Sequence, residues 1–166
     1  MKYINKKLTI EKIGFQKIAK KFGTPFYSYS YNKLKENINN FKKSFRSFSP
    51  LICFAVKSNT NIHIIKEIKK LGLGADVVSV GELMMALKAG INPSKIVFSG
   101  VGKTTSEISF AIDKRILLIN AESLSEIKEI NRIAKSKNKR IKIGVRLNPN
   151  TDAKTLSQIS LSLIHI

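Results

Sequence analysis

The sequence predicts an α/β chain of repeated strand–helix units, and three observations carry that prediction. Short apolar runs of strand length alternate with longer stretches whose apolar residues recur at helical spacing. Glycine and proline punctuate the joints between them. Successive strands lie roughly 20 to 25 residues apart, the spacing that βα units with short loops should give. Such alternation yields a parallel sheet, either open or closed into a barrel. A closed (β/α)8 TIM barrel needs ~250 residues, so about five βα units would form only a partial one.

In chain order, residues 8–22 are read as a short helix. Gly23-Thr24-Pro25 then leads into Phe26-Tyr27-Ser28-Tyr29, a strand-like run. Residues 31–45 place Leu34, Ile38, Phe41 and Phe45 at helical spacing. The first strand of the repeat is 52–57, apolar until it ends in Lys57. Helix 61–71 follows, with Ile62, Ile65, Ile68 and Leu71 as its stripe, broken by Gly72 and Gly74. Strand 75–79 and helix 81–89 come next, and Gly90 and Pro93 punctuate. Strand 96–100 precedes helix 104–113, and 116–121 is the fourth strand. Ser123, with Glu126 three residues on, makes a capping-box pattern that starts a helix reaching about residue 137. Residues 141–148 are the fifth strand. No Gly-x-Gly-x-x-Gly follows the first strand and no P-loop is present, which weighs against a dinucleotide-binding sheet.

The 166 residues are 43% hydrophobic and 25% charged, enough for one globular domain with a core. No run of about eighteen apolar residues occurs, so no membrane-spanning helix is expected. The opening residues lack the apolar run of a signal peptide. A single cysteine, Cys53, excludes an internal disulfide framework and suits a cytoplasmic setting. The formal charge of +19 raises the question of nucleic acid. Its excess is nearly all lysine, spread along the chain, and only five arginines occur. Without a basic–aromatic stripe, the charge is read as a solvated lysine surface, and neither nucleic acid nor membrane is an expected partner.

In βα architectures the chemistry sits at the C-terminal ends of the strands. By period two, Cys53, Ala55 and Lys57 share one face and Ile52, Phe54 and Val56 the other. Lys57 then stands at the mouth of a small-residue face. It has two readings: one of many lysines past a strand end, or an amine that burial would turn into a nucleophile able to form a Schiff base. Asp76, a residue that disfavours strand interiors, is the carboxylate available to it. Glu82 falls in a first helical turn, where it complements the dipole. Ser99-Gly100-Val101-Gly102-Lys103-Thr104 is either a tight βα turn or a receptor for an anion at a helix start. On the fifth strand Gly144, Arg146 and Asn148 share one face, and Ile143, Val145 and Leu147 the other. His63 and His165 lack partners at metal spacing, so no metal site is expected.

Five segments in series resemble the pyridoxal-phosphate-dependent decarboxylases of the alanine-racemase-like fold. Ala55-Val56-Lys57-Ser58-Asn59 resembles their cofactor-lysine motif, and 74–82 their second-strand motif. Ile96-Val97-Phe98-Ser99-Gly100-Val101-Gly102-Lys103-Thr104 is similar to the diaminopimelate decarboxylase branch in particular. So are Gly23-Thr24-Pro25 with its following aromatics, and Arg146-Leu147-Asn148-Pro149 through Asp152-Ala153-Lys154-Thr155. The resemblance implies a (β/α)8 barrel followed by a β domain, working as a homodimer on a small amino-acid substrate. It implies pyridoxal 5'-phosphate held as a Schiff base on Lys57, with Asp76, Glu82 and Arg146 beside it. The implied reaction is decarboxylation of meso-2,6-diaminopimelate to L-lysine, the last step of lysine biosynthesis. Ornithine, arginine and carboxynorspermidine decarboxylases of the same fold, or a non-catalytic cofactor carrier, are the alternatives.

The same resemblance divides the chain. Residues 1–30 would pack with a C-terminal β domain, 31–160 would form an incomplete cofactor-binding barrel, and 161–166 read as a non-native tail. The family's ring-stacking histidine, phosphate-binding glycine loop and substrate-binding residues would come after residue 166. An N-terminal fragment, inactive by itself, is therefore expected.

Overall fold

The computed structural model describes residues 1–147 and contains two compact units, Met1–Pro50 and the chain from Leu51 onward. Asn148 and the motif and tail segments beyond it, His165 included, lie outside the described residues.

The first unit begins with three antiparallel strands, β1 (Lys2–Ile4), β2 (Lys7–Ile10) and β3 (Ile13–Gly14). This corrects the helix expected from residue 8. Ile4 pairs with Lys7 and Ile10 with Ile13, so each hairpin turns on two residues. Those residues, Asn5-Lys6 and Glu11-Lys12, all have positive φ, the conformation whose twist matches the flanking strands. Between them, β-branched Thr9 and Ile10 favour the pleated surface, and both are buried. The helix is confined to α1 (Phe15–Phe22). A second correction concerns residues 26–29, which join no sheet because no described strand offers their backbone a ladder. Helix α2 (Tyr31–Ser44) is capped by the Ser30 hydroxyl, which accepts from the Lys33 N–H. Glu11 in turn accepts from Ser30 and from the Asn32 N–H, and these two bonds hold its carboxyl below the usual carboxylate range.

The second unit is the repeat. Parallel strands β4 (Cys53–Ala55), β5 (Gly74–Val77), β6 (Ile96–Phe98), β7 (Leu118–Ala121) and β8 (Ile143–Val145) lie side by side in chain order. Helices α3 (Ile62–Lys70), α4 (Val80–Lys88), α5 (Thr105–Asp113) and α6 (Leu124–Ser136) connect them. The sequential order means that the winding never reverses. A doubly wound dinucleotide-binding sheet has a switch point where it does. The arrangement is five successive strands of a barrel with the four helices that connect them.

Each strand is shorter than its apolar run, and the largest difference bears on function. Expected strand 52–57 ends at Ala55, and residues Val56–Ser58 form a single 3-10 turn. The Ser58 hydroxyl donates to the Ala55 carbonyl at 2.7 Å and the Asn59 N–H to the Val56 carbonyl at 2.9 Å, which closes that turn. Lys57 therefore sits just past the strand.

Alternation sorts the two faces of the sheet. Ala75, Val77, Ile96, Phe98, Ile119 and Ala121 are buried in one core with Ile65, Leu83, Ile108 and Ile130 from the helices. The opposite face carries Cys53 and Ala55, then Asp76, Val97, Leu118, Asn120 and Gly144, as the strand register requires. The small or polar face expected for Cys53, Ala55 and Gly144 is the one observed. No helix among the described residues is long and apolar enough to cross a membrane.

Candidate functional site

The C-terminal ends of the five parallel strands surround a cleft of roughly 490 Å³. Lys57 enters from the turn after β4, Asp76 from β5, Asn120 from β7 and Arg146 from just past β8. Ser99, Gly100 and Glu122 come from the loops that follow β6 and β7. Three of the four site residues expected from the sequence, Lys57, Asp76 and Arg146, thus line one cavity. Lys57 is exposed, so the described residues do not bury the amine as one of its two readings required. The short strand is the reason, because it delivers the side chain beyond the packed layer.

Glu82 does not line the cleft. Its N–H donates to the Ser79 hydroxyl at 3.2 Å, and its carboxylate accepts from the Val78 N–H at 3.0 Å. Val78 is a wall of the cleft, so Glu82 steadies that wall from the first turn of α4.

Asp76 is fixed by a short hydrogen-bonded series across the sheet. The Asn120 side-chain amide donates to Ser99 Oγ at 3.0 Å, and Ser99 Oγ donates to Asp76 Oδ1 at 2.6 Å. Cys53 stands on the same face at the neighbouring strand. Burial pushes its thiol up from the ordinary value, and the Asp76 charge adds to that. Because the thiolate is the reactive form, Cys53 reports on Asp76. In Asp76→Asn the repelling charge is gone, so the pH midpoint of Cys53 alkylation should fall. It should stay above that of a free thiol, since burial is the larger cause. A midpoint equal to the wild type's would refute this coupling.

A second network joins the loops after β6 and β7, and it centres on Lys103, whose side chain is buried. Lys103 Nζ donates to the Gly100 carbonyl at 2.6 Å, to the Asn120 carbonyl at 2.7 Å and to Glu126 Oε1 at 3.0 Å. Its three protons therefore meet three acceptors, which satisfies a buried ammonium. The second Glu126 oxygen accepts from the Glu122 N–H at 2.7 Å. Glu122 in turn receives the Gly100 N–H and Arg146 Nη1, each at 3.2 Å. The glycine loop is thus a tight turn, with Gly100 and Gly102 at positive φ, and the anion at Gly100 is the chain's own carboxylate. The box expected at Ser123 is half made. Ser123 accepts from the Glu126 N–H, but the Glu126 carboxylate reaches Lys103 and the Glu122 N–H instead of turning back to Ser123. A complete capping box occurs at Thr104 and Glu107.

Asn120, Glu122 and the burial of Lys103 were not foreseen. Glu122 could have been found by extending the strand-end criterion one residue past 121. Nothing local marks Lys103, since its acceptors come from three separate segments.

Residues 31–163 match the pyridoxal-binding domain of the pyridoxal-dependent decarboxylases. The chain is 46% identical over 150 residues to a diaminopimelate decarboxylase of Helicobacter pylori, which covers 90% of this chain and 37% of that one. It is 44% identical over 163 residues to the Aquifex aeolicus enzyme of the same name, covering 98% and 38%. The crystal structure of the H. pylori diaminopimelate decarboxylase complexed with L-lysine superposes with a TM-score of 0.85 at 45% identity, over 89% of this chain and 37% of that one. The chain therefore spans less than two-fifths of the length of these relatives. With five parallel strands in barrel order and a lysine, a carboxylate and a guanidinium at their ends, the chain belongs to the pyridoxal-dependent decarboxylase family, of which it carries pyridoxal-binding-domain sequence.

Proposed function

We infer that the chain carries the cofactor-lysine part of a diaminopimelate decarboxylase, which converts meso-2,6-diaminopimelate to L-lysine and CO2. The observation that carries this reading is the meeting of Lys57, Asp76 and Arg146 in one strand-end cleft. The residues suit pyridoxal phosphate: an accessible primary amine stands in one cavity with a carboxylate and a guanidinium. When bound, that cofactor supplies an electron sink for the electron pair left by the departing carboxylate. Lys57 is the amine that anchors it. Asp76, held at one oxygen, offers the other to a positively charged nitrogen. Arg146, steered by Glu122, presents positive charge from the far side of the cleft, and Glu82 braces the wall at Val78.

The whole enzyme works as a cytoplasmic homodimer in this reading, with residues 1–30 packed on a C-terminal β domain. The 166-residue chain by itself should release no CO2. The strands β4 and β8 end its described sheet with one unpaired edge each, and more than half of the relatives' length lies outside it.

Treating the chain with pyridoxal phosphate and then borohydride should fix the label on Lys57 ahead of the surface lysines, and Lys57→Ala should remove that site. Peptide mass mapping reads the outcome. Label spread evenly over the lysines would count against the reading. In a longer form spanning the relatives' length, CO2 release from meso-diaminopimelate but not from ornithine or arginine would fix the substrate.

A further inference from the structure

We propose that Ser99 and Asn120 are positioning residues that aim the Asp76 carboxylate, and that Gly144 is glycine because this series needs the space. The role in catalysis rests on the decarboxylase reading of the cleft; the geometry does not.

Hydrogen-bond accounting sets the direction of the series. The Asn120 amide nitrogen can only donate, so Ser99 Oγ accepts from it. The single Ser99 proton is then committed to Asp76 Oδ1, at 2.6 Å, the length of a bond to an ionised acceptor. Among the described residues Asp76 Oδ2 takes no hydrogen bond, and Asp76 lines the cleft. One oxygen is clamped and the other is left for a ligand. The clamp is itself held, since Lys103 binds the main-chain carbonyls of Gly100 and Asn120. On the next strand, Gly144 pairs with Asn120, and a Cβ added there would overlap Asn120 Oδ1. Any larger residue at 144 would push the amide out of line.

The consequence is a carboxylate that does not have to reorganise when a cation arrives. The charged groups that line the cleft are Lys57, Asp76, Glu122 and Arg146. Of these, Asp76 is the one that acts on the Cys53 thiol, which makes the single cysteine a reporter of where that carboxylate points.

The test uses this chain and needs no turnover. Cys53 alkylation is followed against pH in the wild type, Ser99→Ala, Ser99→Thr and Gly144→Ala. With the clamp lost, Asp76 turns out into the open cleft. The alkylation midpoint in Ser99→Ala and Gly144→Ala should then fall part of the way to that of Asp76→Asn. Ser99→Thr keeps the hydroxyl and should keep the wild-type midpoint. Gly144→Ala leaves both Ser99 and Asp76 chemically intact, so a shared shift cannot come from deleting the hydroxyl. The yield of pyridoxal phosphate fixed on Lys57 should drop about tenfold in Ser99→Ala, the size expected for losing a hydrogen bond to a charged group. Midpoints in Ser99→Ala and Gly144→Ala that coincide with the wild type's would overturn the relay whatever the label does. A shifted midpoint with no preference for Lys57 in any form would support the relay and overturn the cofactor reading.

Discussion

Replacing Lys103 with methionine is expected to destabilise the strand–helix unit by about 3–5 kcal/mol, the cost of removing one partner from a buried ion pair. The Lys103 side chain is 1% exposed and its Glu126 partner 10%. Methionine has similar length and fills the same space beside the Phe98 ring, which Lys103 Nζ approaches to 5.7 Å. Packing is therefore largely kept while three hydrogen bonds are lost. The Gly100 and Asn120 carbonyls and one Glu126 oxygen are left inside without partners, and burying such groups unpaired is the larger part of the loss. Glu126→Gln keeps an acceptor for the ammonium and should cost less, about 1.5–3 kcal/mol. Urea unfolding followed by circular dichroism measures both. The slope should stay constant while the midpoint moves. A loss below about 1 kcal/mol in Lys103→Met would mean that water reaches the site and that the ammonium is not buried in solution.

Gly74→Ala should be the second large effect, a loss of about 1–3 kcal/mol from overpacking. Gly74 opens β5 between two neighbours. A methyl there would overlap the Lys95 main-chain carbonyl oxygen and stand 2.9 Å from Cys53 Sγ. The first obstacle is backbone, so no rotamer change relieves it. Either β6 moves away or the ladder between β4 and β5 breaks at Cys53. Gly81→Ala is the matched control. Gly81 lies in α4, and the nearest atom to an added Cβ is Ser79 Oγ at 3.8 Å. That variant should gain up to about 1 kcal/mol from helix propensity. Opposite shifts of the urea midpoint, the larger one in Gly74→Ala, would support the packing argument; a neutral Gly74→Ala would refute it.

Much of the fold was legible because it is set by local periodicity. The alternation of Cys53 and Ala55 against Phe54 and Val56, and of Asp76 against Ala75 and Val77, follows from the two-residue repeat of a strand. The helix start at Ser123 was legible from a hydroxyl side chain three residues before a glutamate, and the same pattern caps the helices that begin after Ser79 and Thr104. The N-terminal hairpins were not. Asn5-Lys6 and Glu11-Lys12 contain no glycine, and over so short a run helical and strand spacing coincide.

The cleft was legible to the same degree. Lys57, Asp76 and Arg146 could be chosen from their strand-end positions. Whether an amine there is covered depends on where the ladder stops, and the apolar run 52–57 overstates that by two residues. Lys103 shows the converse. It looks like any lysine in a lysine-rich chain, and its burial is created by Gly100, Asn120 and Glu126 together, which meet only once β6 and β7 are paired.

The sequential strand order has a consequence for how the unit is made. Each of β5 to β8 has the strand one unit earlier as a neighbour, already synthesised when the new strand emerges. Contacts of such short sequence separation close cheaply. As the chain leaves the ribosome, each new unit can therefore dock on a template already in place, and its helix covers the fresh apolar face at once. Growth then proceeds at one edge, the one that receives the next strand, while the outer edge of β4 stays unpaired among the described strands.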